Sequence, residues 1–489
     1  MRIEALLKGL TIEPLESDLN IKGLALDSRQ LEKDFAFIAI AGSEQHGLEY
    51  AQQAEKKGAV IMVFDPLGSD CFALDQIDIK LVAVEGLARK LGVIADRFYG
   101  SPSTKLDVIG ITGTNGKTTC SQFLLQMTEY CGVIGTLGWG DKQHLNKTIN
   151  TTPDALVVHK ILADFVSNNK TTVVMEVSSH GLEQGRVNAV SFKGAIFTNL
   201  SRDHLDYHGS MDAYLQAKLA LFKRPELQFV VVNANDVNSK EFLAVTGKST
   251  AQWAFSATGK QLKGVNNLTA ENVEINLNGI SFIACYKGKR VNVKSNIVGS
   301  FNLENILTVM IVMLAQGTSI EGIAKSIADL EPVSGRMECL GGGEKPVVIV
   351  DYAHTPDAME KVLKELCEYG NHKLKLVFGC GGDRDKGKRQ QMGEIAGLLA
   401  DEIIMTNDNP RFEDPEQIVN DIVLGCKDKH YRVIVNRQEA ISNVINKASR
   451  KDCIVVLGKG HEDYQEIKGV RYPFSDQMVA KQALLEWTE

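Results

Sequence analysis

No CxxC pair occurs among the nine cysteines, no apolar run is long enough to cross a bilayer, and basic charge is not in excess. Each absence removes a class of function. Without paired cysteines, and with most of them set in apolar runs, reduced and buried thiols are expected rather than disulfides or zinc. The longest strongly apolar stretch, residues 306–315, is about ten residues, far short of the roughly twenty a spanning helix needs. Glu4 and Lys8 interrupt the opening residues, so no secretory leader is read there and a cytoplasmic protein is expected. With 54 Lys and Arg against 61 Asp and Glu, the net charge of −7 argues against nucleic acid as the main partner. Repeats and low-complexity tracts are also missing.

What remains is an ordinary soluble composition in 489 residues, enough for several domains. Its organising stretch is residues 108–122, VIGITGTNGKTTCSQ. A β-branched run leads into a glycine loop, then Lys-Thr, then a helical pattern. This is the order that turns backbone N–H groups and a helix N-terminus toward phosphates. Gly113, Thr114, Asn115, Gly116, Lys117, Thr118 and Thr119 form the expected ATP cradle, with Lys117 reaching the β- and γ-phosphates and the Thr118 hydroxyl on Mg²⁺. Ile111 stands where the usual spacing wants a glycine.

The fold class expected is α/β in three domains. Residues 1–85 read as a small α/β domain whose polar loops, 26–29 and 41–47, are either ligand contacts or plain turns. Residues 86–332 read as a P-loop domain with a mostly parallel sheet, followed by an antiparallel meander over 249–299 with turns at Asn278-Gly279 and Lys287-Gly288. Glu176 ends an apolar strand, where a carboxylate needs a cation or hydrogen-bond donors. His204 is a candidate second metal ligand, with helix capping by Asp203 or Asp206 as the alternative. Glu176, His180 and His204 are expected to share the crevice of Lys117, outside the carboxyl ends of the strands. Asn302 and Asn305 share a helical face and suit either capping or an adenine. Residues 333–489 have a Rossmann-like rhythm without GxGxxG, so NAD is not expected. Polar clusters at four strand ends there, 351–356, 379–387, 407–411 and 458–462, would build one site.

Seven segments in order — GTNGKTT at 113–119, EVSSHGL at 176–182, TNLSRDHLDYHG at 198–209, FNLENILT at 301–308, GRME at 335–338, DYAHTPDA at 351–358 and DNPR at 408–411 — resemble the Mur ligases across the whole chain. That family uses the shorter GTNGKT form, which accounts for Ile111. The resemblance implies an ATP- and Mg²⁺-dependent ligase of peptidoglycan-precursor synthesis, and a monomer. It would join an amino acid to the D-Glu γ-carboxylate of UDP-MurNAc-L-Ala-D-Glu through an acyl phosphate, its domains closing for reaction. Leu26, Ser28 and the Ser43-Glu44-Gln45 stretch match positions that hold the uridine nucleotide, although the family commonly has His-Gln-Ala there. Asn150, Thr151, Thr152, Ser178, Gln184 and Arg186 match positions that hold the muramoyl-dipeptide. Asn302, Arg336, Asp351 and His354 match the nucleotide side. Lys218 matches the lysine the family carbamylates into a metal ligand beside Glu176 and His204; a surface lysine on an amphipathic helix is the plain alternative.

Arg384, Asp408, Asn409, Pro410, Arg411, Gly458 and Glu462 match the amino-acid site. DNPR resembles the family's version that accepts meso-2,6-diaminopimelate, lysine-adding relatives lacking the arginine, and a guanidinium can pair with the second carboxylate that lysine lacks. Glu462 would then meet the distal ammonium. A lysine-adding relative, a folylpolyglutamate synthetase and a P-loop regulator that only hydrolyses ATP are the rival readings.

Overall fold

A computed structural model describes residues 1–11, 15–42, 45–370, 372–426 and 429–488. The chain forms two compact units, Met1–Ser256 with Lys260–Asn267, and Ala257–Gly259 with Leu268–Glu489. No helix among the described residues is long and apolar enough to cross a membrane.

The first unit begins with four parallel strands in sequence order, Gly23–Ala25, Phe35–Ala39, Ile61–Phe64 and Lys80–Ala83. Alternation along them sends successive side chains to opposite faces. Phe37 and Met62 join one apolar cluster, while Ile38 and Val63 join another with Leu91 and Ile94 of the helix Leu87–Phe98.

A second, larger sheet follows. Six parallel strands run in the order Ala251–Ser256, Phe229–Asn233, Gly194–Phe197, Asp107–Thr112, Thr172–Glu176, Cys131–Gly135, with two short antiparallel strands beyond. The strand Asp107–Thr112 is the point where the strand order reverses, so the loop after it opens at a topological switch point. Ala251–Ser256 corrects the expected meander over 249–299: its first strand pairs in parallel with Phe229–Asn233. Buried Trp253, Ala254 and Phe255 give it the two-sided apolar character of a parallel strand.

Asn266–Asn276, whose residues from Leu268 belong to the second unit, forms the antiparallel meander with Gly279–Tyr286 and Lys289–Ser295, turning at the two predicted glycine turns. Two helices, Ser300–Ala315 and Ile320–Ala328, come next. The last sheet orders Glu338–Gly341, Val347–Asp351, Cys453–Leu457, Leu374–Phe378, Glu402–Met405 and Tyr431–Val433. All pair in parallel except the first. The four strand ends singled out from the sequence therefore lie on one carboxyl edge. A hairpin, Tyr464–Ile467 with Val470–Pro473, stands apart from that sheet.

Candidate active site

The phosphate loop is stapled to the end of the neighbouring strand. Thr114 N–H donates to Asn199 O (2.8 Å), and the Thr198 hydroxyl donates to Asn115 O (2.6 Å). Gly113 has φ +149°, and a Cβ there would stand 1.9 Å from Thr198 Oγ1, so only glycine fits. Lys117 Nζ bends back onto Gly113 O (2.8 Å) and Thr114 O (2.9 Å). Lys218, on the helix Met211–Phe222, donates to the same Gly113 carbonyl at 2.9 Å and sits 4.3 Å from the Tyr214 ring centroid. The surface-lysine alternative is thereby overturned, since Lys218 is 1% exposed. Burial, then the nearby Lys117 charge, holds its pKa well below the usual lysine value, with Asp203 opposing.

Glu176 is fully buried and collects four donors: Thr118 Oγ1 (2.9 Å), Thr136 N (3.0 Å), Thr136 Oγ1 (3.1 Å) and Ser121 Oγ (3.4 Å). Hydrogen bonds thus meet its desolvation cost here. Gly135 leaves room for it, because a Cβ there would lie 2.2 Å from Oε1. His204 begins the short helix Leu205–His208 with φ +53°, its ring 4.9 Å from that of His180. Neither expected acid caps that helix through a side-chain bond; Asp203 instead accepts from His204 N (2.9 Å). Burial, then the charges of Lys117 and Lys218, lowers the His204 pKa against the pull of Asp203.

Among the described residues no three of His, Cys, Asp and Glu gather as a metal site. The donors that do meet, the Thr118 hydroxyl and the Glu176 carboxylate, are hard oxygens beside a phosphate loop. Such a pair fits Mg²⁺, which keeps several waters and substrate oxygens of its own.

From Glu176 a polar network runs through most of the residues expected to hold the dipeptide. Thr152 Oγ1 donates to Glu176 O (2.9 Å) and accepts from Ser178 N (3.0 Å). Ser178 Oγ caps the helix Ser179–Glu183. Arg186 donates to Thr152 O (2.8 Å) and Gln184 Oε1 (2.9 Å), and Thr151 Oγ1 lies 2.9 Å from Thr136 Oγ1. Asn150 is exposed beside this network. The uridine candidates are separate: Ser28 Oγ donates to Gln53 Oε1 (2.8 Å), Gln45 Oε1 accepts from Tyr50 Oη (2.9 Å), and Leu26 is half-buried. Ser43 and Glu44 lie outside the described residues.

In the second unit, the helix Ser300–Ala315 has no side-chain cap, so neither Asn302 nor Asn305 caps it. Asn302 Nδ2 donates to Val298 O (2.6 Å) and Asn305 Nδ2 to Asn302 Oδ1 (2.9 Å). Asp351 accepts from Met337 N and Ala353 N (both 2.8 Å), and burial raises its pKa against the pull of Arg336. Arg336 stacks 4.9 Å from the Tyr352 ring, which also meets the rings of His354 (4.6 Å) and His461 (5.2 Å). Burial, then Arg336, pushes His461 down to about 4.

The remaining polar ends interlock. Arg411, at φ +51°, is bridged through its backbone to the hairpin, accepting from Lys468 N (2.7 Å) and donating to Glu466 O (3.0 Å). Its guanidinium donates to Gly382 O (2.7 Å), with Nε 3.6 Å from Glu466 Oε2. Asn409 Nδ2 donates to Glu462 Oε2 (2.8 Å). At Gly458 a Cβ would stand 2.7 Å from Asp408 Oδ2. Pro410 O accepts from Glu413 N (3.0 Å), and Arg384 is exposed on the neighbouring loop.

The comparisons agree with this architecture. Residues 20–99, 111–313 and 335–460 match the descriptions "Mur ligase family, catalytic domain", "Mur ligase middle domain" and "Mur ligase, glutamate ligase domain". The chain is 44% identical over 478 residues to the UDP-N-acetylmuramoyl-L-alanyl-D-glutamate–2,6-diaminopimelate ligase of Ectopseudomonas mendocina, covering 96% of each chain. The chain belongs to the Mur ligase family. It is also 43% identical over 485 residues to the ligase of the same name from Pseudomonas aeruginosa, again covering 96% of each. A solved structure of a ligase with that name superposes with a TM-score of 0.70 at 33% identity, covering 97% of this chain and 98% of that one.

Among the described residues, three fully buried cations of this Mur ligase escaped the sequence reading. Arg389, on Gly387–Leu399, binds Glu413 (2.9 Å) and Asp421 (2.8 Å). Arg437, on Arg437–Asn446, grips Asp476 (2.7 Å) and two strand-end carbonyls. Both lie on helices with no local mark of burial. Lys459 did carry a signal, since it stands between two glycines inside a polar cluster already singled out.

Proposed function

We propose that this Mur ligase joins meso-2,6-diaminopimelate to the D-Glu γ-carboxylate of UDP-MurNAc-L-Ala-D-Glu, with ATP as co-substrate, in cytoplasmic peptidoglycan-precursor synthesis. In this reading residues 1–85 hold the uridine end, 86–332 the ATP and 333–489 the incoming amino acid. The phosphate loop orients the triphosphate through its backbone N–H groups, and Lys117 leaves the Gly113 and Thr114 carbonyls to meet the β- and γ-phosphates. Thr118 and Glu176 would hold Mg²⁺, with His204 and a carbamylated Lys218 as further ligands; when bound, the ion supplies charge neutralisation of the triphosphate. Burial of Lys218 favours the neutral amine, the form that adds to carbon dioxide. Thr152, Ser178, Gln184 and Arg186 position the dipeptide so that its γ-carboxylate attacks the γ-phosphorus, giving an acyl phosphate and ADP. The amine of diaminopimelate then displaces phosphate to form the amide.

Arg411 carries the choice of amino acid. Its loop is pinned by Gly382 and the hairpin, so a planar donor fork is held for the distal carboxylate. R411A is expected to lower kcat/KM for meso-diaminopimelate by roughly 10- to 100-fold, the range for removing a charge-assisted pair. Turnover of L-lysine should stay where it was, as read by mass of the product. Equal loss with both amino acids would move selectivity elsewhere.

A further inference from the structure

Lys459 is fully buried, yet it reaches two side chains of the proposed amino-acid site at once. Its Nζ donates to Asn409 Oδ1 (2.9 Å) and to Glu462 Oε2 (2.9 Å), and lies 5.5 Å from the Tyr464 ring centroid. Glu466 N also donates to Asn409 Oδ1 (2.9 Å). Two donors on one amide oxygen fix which way that amide faces, and the opposite orientation would set N–H against N–H. The Asn409 NH₂ is therefore turned onto Glu462 Oε2 (2.8 Å). Both bonds to Glu462 converge on Oε2, and among the described residues no donor engages Oε1.

We propose that Lys459 is a positioning residue: it and Asn409 load one oxygen of Glu462 and so present the other, Oε1, to the distal ammonium of the amino-acid substrate. This rests on the diaminopimelate reading above and extends it to a residue behind the contact surface. The geometry explains why a buried cation lies beside a carboxylate that must itself bind a cation. Lys459 orients that carboxylate from behind while leaving one oxygen for the ligand. Losing it would leave Glu462 a choice of rotamers and a half-buried carboxylate without its cation.

The test compares two substrates that differ only at the distal ammonium. Meso-diaminopimelate has it; 2-aminopimelate keeps the distal carboxylate and carries hydrogen in place of the amine. K459M should raise the KM for meso-diaminopimelate roughly 10- to 100-fold, the range for a hydrogen bond to a charged group. It should leave the KM values for ATP and 2-aminopimelate unchanged, and K459R should recover part of the loss. A loss shared equally by both amino acids, or by neither, overturns the inference. Should K459M not fold, the K459M/E462Q double variant, which strands no charge, is compared with E462Q alone. Matching KM values support the coupling, and a further loss beyond E462Q overturns it. A wild-type enzyme that ligates neither amino acid would instead overturn the proposed function.

Discussion

At the scale of single residues, burial determines which groups stay neutral. His461 has its Nδ1 buried without a partner and a pKa pushed down to about 4 by desolvation and Arg336. Unfolding returns it to a value near 6.5. Between those values the unfolded chain binds the extra proton, so stability from His461 is complete above pH 6.5 and lost as pH falls toward 4. H461Q should therefore flatten the fall of the urea midpoint between pH 6.5 and 4 relative to wild type. Parallel curves would contradict the burial argument. Glu413 acts lower on the scale: hydrogen bonds from Arg389 hold it at about 2, so its contribution is present above pH 4.5 and fades toward 2. Its loss should appear in both proteins alike. Lys218 shows the limit of reading residues from sequence. Its helix pattern permitted a surface position, and only the packing against Tyr214 and the Gly113 carbonyl shows otherwise.

At the scale of elements, the strand ends were legible and their supports were not. Apolar runs followed by polar clusters identified the strands 107–112, 172–176, 347–351, 374–378, 402–405 and 453–457 to within a residue or two. Short half-exposed strands such as Lys80–Ala83 and Tyr431–Val433 lack that contrast, and neither was foreseen. The ion pairs beneath the loops are tertiary, joining residues tens of positions apart. Arg437 and Asp476, both with fully buried side chains, illustrate this. Arg437 donates to Asp476 Oδ1 and Oδ2 (both 2.7 Å), to Leu457 O (2.9 Å) and to Asn407 O (3.3 Å). It thus ties the residues just before the DNPR cluster to those just before Gly458. D476A should cost about 3–5 kcal/mol of stability, because it strands a buried cation. R437M/D476L should recover most of that in urea unfolding, yet raise the KM for diaminopimelate, since R437M removes the two bonds to the Leu457 and Asn407 carbonyls. A KM equal to that of the wild type would show that the pair only stabilises.

At the scale of the whole molecule, the proposed function assigns the two halves of one reaction to two families of strand ends. The phosphate loop, Glu176 and Lys218 belong to the first unit, and the Asp408–Arg411 and Gly458–Glu462 clusters belong to the second. A nucleotide-hydrolysing switch would have no use for the second set, in which glycine, asparagine, arginine and glutamate interlock at one sheet edge. Coupling of ATP cleavage to an amino acid is thus the claim on which the account rests. The measurement that tests it most directly is phosphate release with ATP, Mg²⁺ and UDP-MurNAc-L-Ala-D-Glu, adding meso-diaminopimelate, L-lysine or no amino acid. The account predicts release that depends on meso-diaminopimelate, with a tripeptide product by mass. Release that proceeds equally with no amino acid would contradict it.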